Sequence, residues 1–96
     1  GAAEAIEGLV RGDKKNSQLI GKQISEISLP EGAQIGAIVR GRHLPDGRLA
    51  NLSVAQIAII FPEKGTRIEP WDHLVIFLPN RRSVHAVEKL LNADRD

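Results

Sequence analysis

The fold is decided by residues 21–40, which read Gly21-Lys-Gln-Ile-Ser-Glu-Ile-Ser-Leu-Pro-Glu-Gly-Ala-Gln-Ile-Gly-Ala-Ile-Val-Arg40. The first isoleucines of this stretch have helix-like spacing over a short helical turn. Pro30 ends that turn, because the residue before a proline is pushed out of the α region. Gly32 then allows the chain to reverse. Residues 34–40 are predicted as a strand, and their imperfect apolar alternation indicates a strand covered on both faces.

A second stretch extends the prediction toward the carboxyl end. Residues 66–77 read Thr66-Arg-Ile-Glu-Pro-Trp-Asp-His-Leu-Val-Ile-Phe77, which is typical of a turn followed by a buried strand over residues 74–78. Residues 82–91 follow, and their apolar side chains fall on one face of a helix. The carboxyl-terminal half therefore predicts a strand and then an amphipathic helix.

The amino-terminal part is predicted from propensity alone. Residues 2–10 contain good helix formers, and Gly12 is a plausible helix end. Residues 13–16 are polar without periodicity and are interpreted as a linker, and residues 17–20 as a short strand. The chain does not begin with methionine, so we expect it to be a fragment of a larger protein.

Residues 41–61 leave two alternatives open. Pro45-Asp46-Gly47 predicts a turn, because proline fixes φ and glycine accepts a positive φ. The apolar-rich residues that follow are compatible with one strand. They are equally compatible with a short helix from Asn51 and a strand from about Ile57.

Composition limits the classes of protein that this chain can belong to. With 96 residues and three aromatic side chains, it is one domain whose small core favours association with a partner subunit. The absence of cysteine excludes disulfides and thiolate metal sites. The net charge of +1 gives no field that would attract nucleic acid. No apolar run approaches the length of a membrane span.

The sequence indicates no catalytic residues, so we expect that the chain is not an enzyme. The serines lie in no nucleophile motif, and the histidines are not spaced as metal ligands. His73 follows Asp72, but an aspartate at a strand entrance more often accepts hydrogen bonds within its own turn. No glycine-rich phosphate motif is present, so no cofactor or metal site is predicted in this chain.

The basic cluster Arg40, Arg42 and His43 is the candidate ligand-binding site. Arginine at the end of a central strand suits a phosphate, because guanidinium offers a bidentate fork. The alternative interpretation is that Arg40 pairs with a carboxylate, such as that of Glu26 or Asp72, and holds the strand end. Of the two, the sequence favours the structural pairing.

Four segments in order along the chain resemble the regulatory carboxyl-terminal domain of RCK proteins, the TrkA-C type. They are Gly21-Lys-Gln-Ile-Ser-Glu-Ile27, Ile35-Gly-Ala-Ile-Val-Arg40, Ile68-Glu-Pro-Trp-Asp-His-Leu-Val-Ile-Phe77 and the helix Val84 to Leu91. The resemblance implies an α+β fold, with a small mixed or antiparallel sheet and two to three helices. The domain organisation that it implies is the end of a preceding helix and a linker in 1–16, the domain in 17–92, and a polar tail in 93–96. Residues 41–61 of the domain contain an insertion relative to the family.

The function implied by the resemblance is regulatory. Such a domain senses ligands and holds together the cytoplasmic subunits of a bacterial Trk-type potassium uptake system, at the inner face of the plasma membrane. The implied partners are a second copy of the domain, the membrane potassium-translocating subunit and a small nucleotide or cation effector. NAD is expected in a preceding nucleotide-binding domain that this chain lacks. The alternatives are a purely structural assembly module, or the equivalent domain of another cation transporter or antiporter.

Two expectations go beyond the family pattern. The family has glycine where this chain has Trp71, so we expect the turn to adopt a conformation that a bulky side chain tolerates. The dimer surface is expected to include Ile35, Ile38 or the strand over residues 74–77. The sequence does not choose between these surfaces.

Overall fold

The computed structural model describes residues 3–12, 18–41 and 57–92. The strands are β1 (Glu4–Leu9), β2 (Gln34–Arg40), β3 (Ala58–Ile60) and β4 (His73–Leu78), and the helix is α1 (Val84–Asn92). Two 3-10 helical turns, Ile24–Glu26 and Arg81–Ser83, complete the elements of the described ranges. The predicted α+β fold is confirmed, and its sheet is antiparallel throughout.

The sheet has the strand order β1-β4-β2-β3, so β4 and β2 are central and β1 and β3 form the edges. One face carries the core. Leu74, Ile76 and Leu78 of β4 are at most 2% exposed, and Val87 of α1 packs into the same cluster. Because side chains alternate along a strand, the odd-numbered residues of β4 lie on the opposite face. The helix therefore covers one side of the sheet.

A β-bulge in β2 explains the imperfect apolar alternation. Ile35 pairs with Ile76 and Ile38 pairs with Leu74, with a register shift between residues 35 and 37. The extra residue, Gly36, lets two isoleucines three positions apart face the same core. The expectation of a strand covered on both faces is wrong, because the alternation is broken by the bulge and the outward side chains of β2 stay partly exposed.

The predicted helix over residues 2–10 is wrong for the part that the structure describes. Residues 4–9 form strand β1, which pairs along its whole length with β4. Ile6 lies opposite Ile76 on the core face, and Gly8 lies under the side chain of Leu91. Helix propensity is a weak preference, and pairing with the exposed edge of a central strand overrides it.

Residues 21–25 pair with residues 64–68 beside the sheet. Backbone bonds join Gly21 N to Ile68 O and Ile24 N to Thr66 O, each at 2.8 Å. Gly21 has a φ of 86°, which suits glycine at this turn. The preceding residues 18–20 form a bend and a turn rather than the predicted strand. The helical turn predicted before Pro30 is confirmed as the 3-10 turn at residues 24–26.

Several predictions concern residues outside the described ranges. These are the linker at 13–16, the domain boundary at 17, the tail at 93–96, and most of the segment 41–61, with its predicted insertion, the turn at 45–47 and the helix alternative from Asn51. At the end of that segment, the strand predicted from about Ile57 is confirmed as β3. The strand predicted over 74–78 and the helix predicted over 82–91 are confirmed as β4 and α1.

Candidate functional site

The bulge in β2 determines where Arg40 lies. After Gly36 the β2–β4 register pairs Val39 with His73. The next pair along this register is Arg40 with Asp72, at the end of β2 and the entrance of β4. Residues that lie opposite each other in an antiparallel pair share a face. The insertion of one residue therefore brings an arginine and an aspartate together at one corner of the core.

The guanidinium of Arg40 donates two parallel hydrogen bonds to the carboxylate of Asp72. Nε donates to Oδ1 at 2.9 Å and Nη2 donates to Oδ2 at 2.8 Å. Nη2 also donates to the carbonyl of Arg67 at 2.9 Å, and Nη1 lies 2.9 Å from the carboxylate of Glu69. Bidentate, charge-assisted pairs are the strongest of protein hydrogen bonds. We call Arg40, Arg67, Glu69 and Asp72 the Arg40 corner.

The side chains of this ion pair are largely shielded from solvent, and their charges compensate each other. The side chain of Asp72 is 1% exposed and that of Arg40 is 23% exposed. The hydrogen bond to Asp72 raises the pKa of Arg40 above its usual value, partial burial opposes this, and the charges of Asp72 and Glu69 add to it. Asp72 also accepts a bond from the backbone N of Glu69 at 2.9 Å. The buried carboxylate is thus charge-balanced and hydrogen-bonded on both oxygens.

The predicted pairing of Arg40 with Asp72 is confirmed, whereas pairing with Glu26 is not observed. Glu26 instead accepts a bond from the backbone N of Gln23 at 2.8 Å, at the start of the 3-10 turn. Four of the five N–H donors of Arg40 are engaged by described residues. A phosphate would have to compete with two carboxylates for this guanidinium. Arg42 and His43 lie outside the described residues, so ligand binding by the cluster stays a prediction.

The turn that presents Asp72 contains a bulky residue in a left-handed conformation. Trp71 has a φ of 67°, and the N of Asp72 donates to the carbonyl of Glu69 at 3.2 Å. With Pro70 at its second position, this is the arrangement of a type II turn, which normally has glycine in the place of Trp71. The expectation of a conformation suited to a bulky side chain is therefore wrong.

The surroundings of Trp71 account for this backbone. Its indole is 8% exposed and packs so closely on Gly12 that a Cβ has no room there. The guanidinium of Arg11 lies 5.8 Å from the ring centroid. Backbone bonds join Trp71 N to Val10 O at 2.7 Å and Val10 N to Asp72 O at 2.8 Å. Packing and hydrogen bonds on both sides stabilise a φ that costs about 1 kcal/mol or more.

His73 and Asp72 do not form a catalytic pair. The carboxylate of Asp72 is directed to Arg40, while Nδ1 of His73 lies 3.2 Å from the carboxylate of Glu7 on β1. Within the described ranges, no group of three or more histidine or acidic side chains could hold a metal ion. None of the helices in these ranges has the length and hydropathy needed to cross a bilayer.

The outer face of the sheet, opposite α1, exposes large apolar side chains. Phe77 of β4 is 47% exposed above Gly36, and Ile59 of β3 is 64% exposed. Ile35 and Ile38, two of the residues expected at a dimer surface, are buried in the core at 8% and 0% exposure. Of the expected surfaces, the strand over residues 74–77 keeps an exposed apolar residue.

Comparison with known proteins relates the chain to potassium uptake proteins. It is 40% identical over 90 residues to the Trk system potassium uptake protein TrkA of Vibrio alginolyticus. It is 33% and 34% identical, over 90 residues each, to the proteins of the same name from Halomonas elongata and Haemophilus influenzae. The matches cover 94% of this chain. This chain is related to TrkA.

The match confirms the resemblance predicted from the sequence and is consistent with a TrkA carboxyl-terminal domain. No family model matches the chain. The chain spans 16% of the length of the TrkA proteins that it matches. The function of a complete TrkA protein can therefore only be proposed for this chain.

Sequence reasoning identified Arg40 and Asp72 but missed three features of the corner. The roles of Glu69 and of the Arg67 carbonyl were not predicted, because both depend on the exact path of the turn. The support of that turn by Gly12 and Arg11 was also missed. The only available signal was the tryptophan in a position where the family has glycine.

Proposed function

We propose that this chain is a regulatory and oligomerisation domain of the cytoplasmic subunit of a bacterial Trk-type potassium uptake system. In this proposal it acts as a homodimer at the inner face of the plasma membrane and senses a small nucleotide or cation. It transmits the bound state to the membrane potassium-translocating subunit and is not an enzyme. NAD belongs to a nucleotide-binding domain outside these 96 residues.

The observation that carries the proposal is the match to TrkA over 94% of the chain. The structure adds two supporting features. Exposed apolar side chains on the outer face of the sheet favour association with another subunit. The Arg40 corner places a charged group at the end of a central strand, beside an edge segment formed by residues 64–68.

One observation favours a second candidate, the purely structural assembly module. Arg40 is held by Asp72, Glu69 and the Arg67 carbonyl, which leaves little of its binding capacity for an effector. Under this alternative the domain joins subunits and another domain does the sensing. Both candidates expect the same dimer, and they differ in whether it binds a small molecule.

Calorimetric titration separates the two candidates. The chain is titrated with adenine nucleotides, cyclic dinucleotides and divalent cations, and its mass in solution is measured alongside. The variant is Arg40→Ala, in a second version combined with Asp72→Asn so that no unpaired carboxylate stays buried. The control is Arg82→Ala, the same change at an exposed arginine. Circular dichroism verifies the fold of each variant.

Three outcomes of the titration bear on the two candidates. Saturable binding by a dimer, lost in the Arg40 variants and kept in Arg82→Ala, supports sensing at the Arg40 corner. A dimer that binds none of the panel supports the structural module. A monomer that binds nothing contradicts both for this chain.

The transport role has its own test. The matching 90-residue segment of the Vibrio alginolyticus TrkA is replaced by this chain, and the chimera is produced in cells that lack TrkA. We expect growth at limiting potassium to be restored. A chimera that is folded and abundant but does not restore potassium uptake contradicts the proposal.

A further inference from the structure

The edge strand β3 lies in an unusually apolar and exposed segment. Residues 57–61 read Ile-Ala-Ile-Ile-Phe, without a charged residue. Ile57 is 37% exposed, Ile59 is 64% exposed and Phe61 is 78% exposed. These three side chains alternate along the segment, so they lie on one side, which is the outer face of the sheet. Ile60, between them, faces the core cluster.

Apart from its short length of three residues, this edge has few of the features by which proteins protect exposed strands. β3 ends the strand order, so one of its edges has no partner strand among the described residues. Natural edge strands are blunted by charged side chains, prolines or bulges, because an apolar edge pairs readily with another chain. Here Pro62 follows the segment only at its end. Among the described residues, an edge with three exposed large apolar side chains and no charged residue indicates a strand that is available for pairing.

We propose that β3 pairs antiparallel with β3 of a second copy of this chain, joining the two sheets into one continuous sheet. The inference rests on the proposed homodimer and specifies the surface that forms it. β3 lies at the carboxyl end of residues 41–61, the segment predicted to contain an insertion relative to the family.

A two-fold axis at Ile59 makes the pairing self-complementary. Pairing across a two-fold axis is antiparallel and places each residue opposite its counterpart. Ile59 then lies beside Ile59 of the second copy. Ile57 of each copy lies beside Phe61 of the other copy. Pairs of aromatic and β-branched side chains stabilise antiparallel strands. A charged residue near such an axis would be repelled by its counterpart in the second copy. Residues 57–61 contain no charged residue, so this repulsion does not arise among them.

The available area predicts a weak dimer. The exposed parts of these three side chains amount to roughly 350 Å² per copy, against about 800 Å² per partner in a standard stable interface. Main-chain hydrogen bonds between the edges add to the association. We therefore expect a dissociation constant in the micromolar range, so that dimer and monomer are both populated at practical concentrations.

The test is sedimentation of the whole chain over a range of concentrations from micromolar to millimolar. The variant is Ile59→Lys, which puts two like charges beside each other at the axis. The matched control is Phe77→Lys, the same kind of change at an exposed apolar residue on the same face of β4. We expect Ile59→Lys to raise the dissociation constant at least tenfold, and Phe77→Lys to change it less than threefold.

Amide hydrogen exchange provides a second measurement that does not depend on variants. Edge pairing protects alternate amides of residues 57–61 as concentration rises, whereas packing of one sheet face on another protects none of them specifically. A dimer that persists in Ile59→Lys without this protection overturns the edge pairing and leaves the proposed homodimer standing. A dimer dissolved by Phe77→Lys alone assigns the interface to the sheet face. A chain that is monomeric at every concentration overturns both.

Discussion

The Arg40 corner and the β3 edge differ in which side chains they expose to solvent: the corner buries a charged side chain, and the edge exposes apolar ones. At the corner, a carboxylate with 1% exposure is enclosed by the protein, and its charge is balanced by an arginine. At the edge, an isoleucine and a phenylalanine with 64% and 78% exposure face solvent. In the described residues, every buried side-chain nitrogen and oxygen has a hydrogen-bond partner.

This difference indicates where the domain can respond to another molecule. An arginine with four of its five N–H donors engaged offers little binding energy to a new ligand, because most new contacts would replace contacts already made. An exposed apolar strand gains free energy from any partner that covers it. Association is thus the activity that the described surface favours most, and ligand binding at the corner requires a rearrangement. Substitutions at Arg40, Trp71, Gly36 and Arg81 test this contrast.

The largest effect is expected from Arg40→Ala. The change leaves Asp72 buried without its counter-charge, and breaking one side of a buried pair costs about 3–5 kcal/mol. Urea unfolding, with circular dichroism as the signal, measures the loss. Adding Asp72→Asn should recover part of it, because an amide oxygen still accepts the bond from Glu69 N without burying a charge. Losses that simply add in the double variant would show that the two side chains are not coupled.

Substitution of Trp71 is expected to have an effect of similar size, and it tests backbone strain. Removal of a buried tryptophan side chain costs about 3–5 kcal/mol. With a φ of 67°, alanine keeps the unfavourable conformation, whereas glycine adopts it freely. We therefore expect Trp71→Gly to be more stable than Trp71→Ala by about 1 kcal/mol, although glycine fills less of the cavity. Thermal unfolding of both variants checks the order, and a more stable alanine variant contradicts the strain.

The sequence predicted part of this fold and of the Arg40 corner. The order of strands 34–40 and 74–78 and of the last helix followed from apolar patterns and turn residues. The pairing of Arg40 with a carboxylate followed from charge and position, with Asp72 as one of two candidates beside Glu26. These predictions succeeded because each depends on residues close in sequence or on a single pairing of strands.

The errors came from interactions between distant parts of the chain. Residues 4–9 have helix-forming composition, yet they pair with β4, and no local signal announces that partner. The bulge at Gly36 was misinterpreted as two-sided burial, since both produce imperfect alternation. The left-handed Trp71 depends on Gly12, 59 positions away in the chain, whose backbone supports the indole.

Gly36→Ala tests how firmly the bulge is coupled to the outer face. A Cβ at this position meets the ring of Phe77, which is half exposed and can rotate away. We expect a loss of less than about 1 kcal/mol, because the neighbour that must move is a flexible side chain. Nuclear magnetic resonance should show displaced Phe77 ring signals and an unchanged Arg40 corner. Loss of the corner in this variant would mean that the bulge, rather than the ion pair, sets the register.

The smallest effect is expected from Arg81→Ala, which repeats the change made at Arg40. Nε of Arg81 donates to Glu4 at 2.8 Å, and Nε of Arg40 donates to Asp72 at 2.9 Å, so the bond at the exposed pair is at least as short as the bond at the buried pair. Their surroundings differ, because the side chain of Arg81 is 87% exposed and that of Arg40 is 23% exposed. Exposed ion pairs contribute about 0–1 kcal/mol and weaken with salt. We expect Arg81→Ala to change the free energy of unfolding by less than about 0.5 kcal/mol, with any effect lost at 1 M salt. Equal losses in urea unfolding for the two variants would mean that bond length, rather than burial of the carboxylate, determines the strength of both pairs.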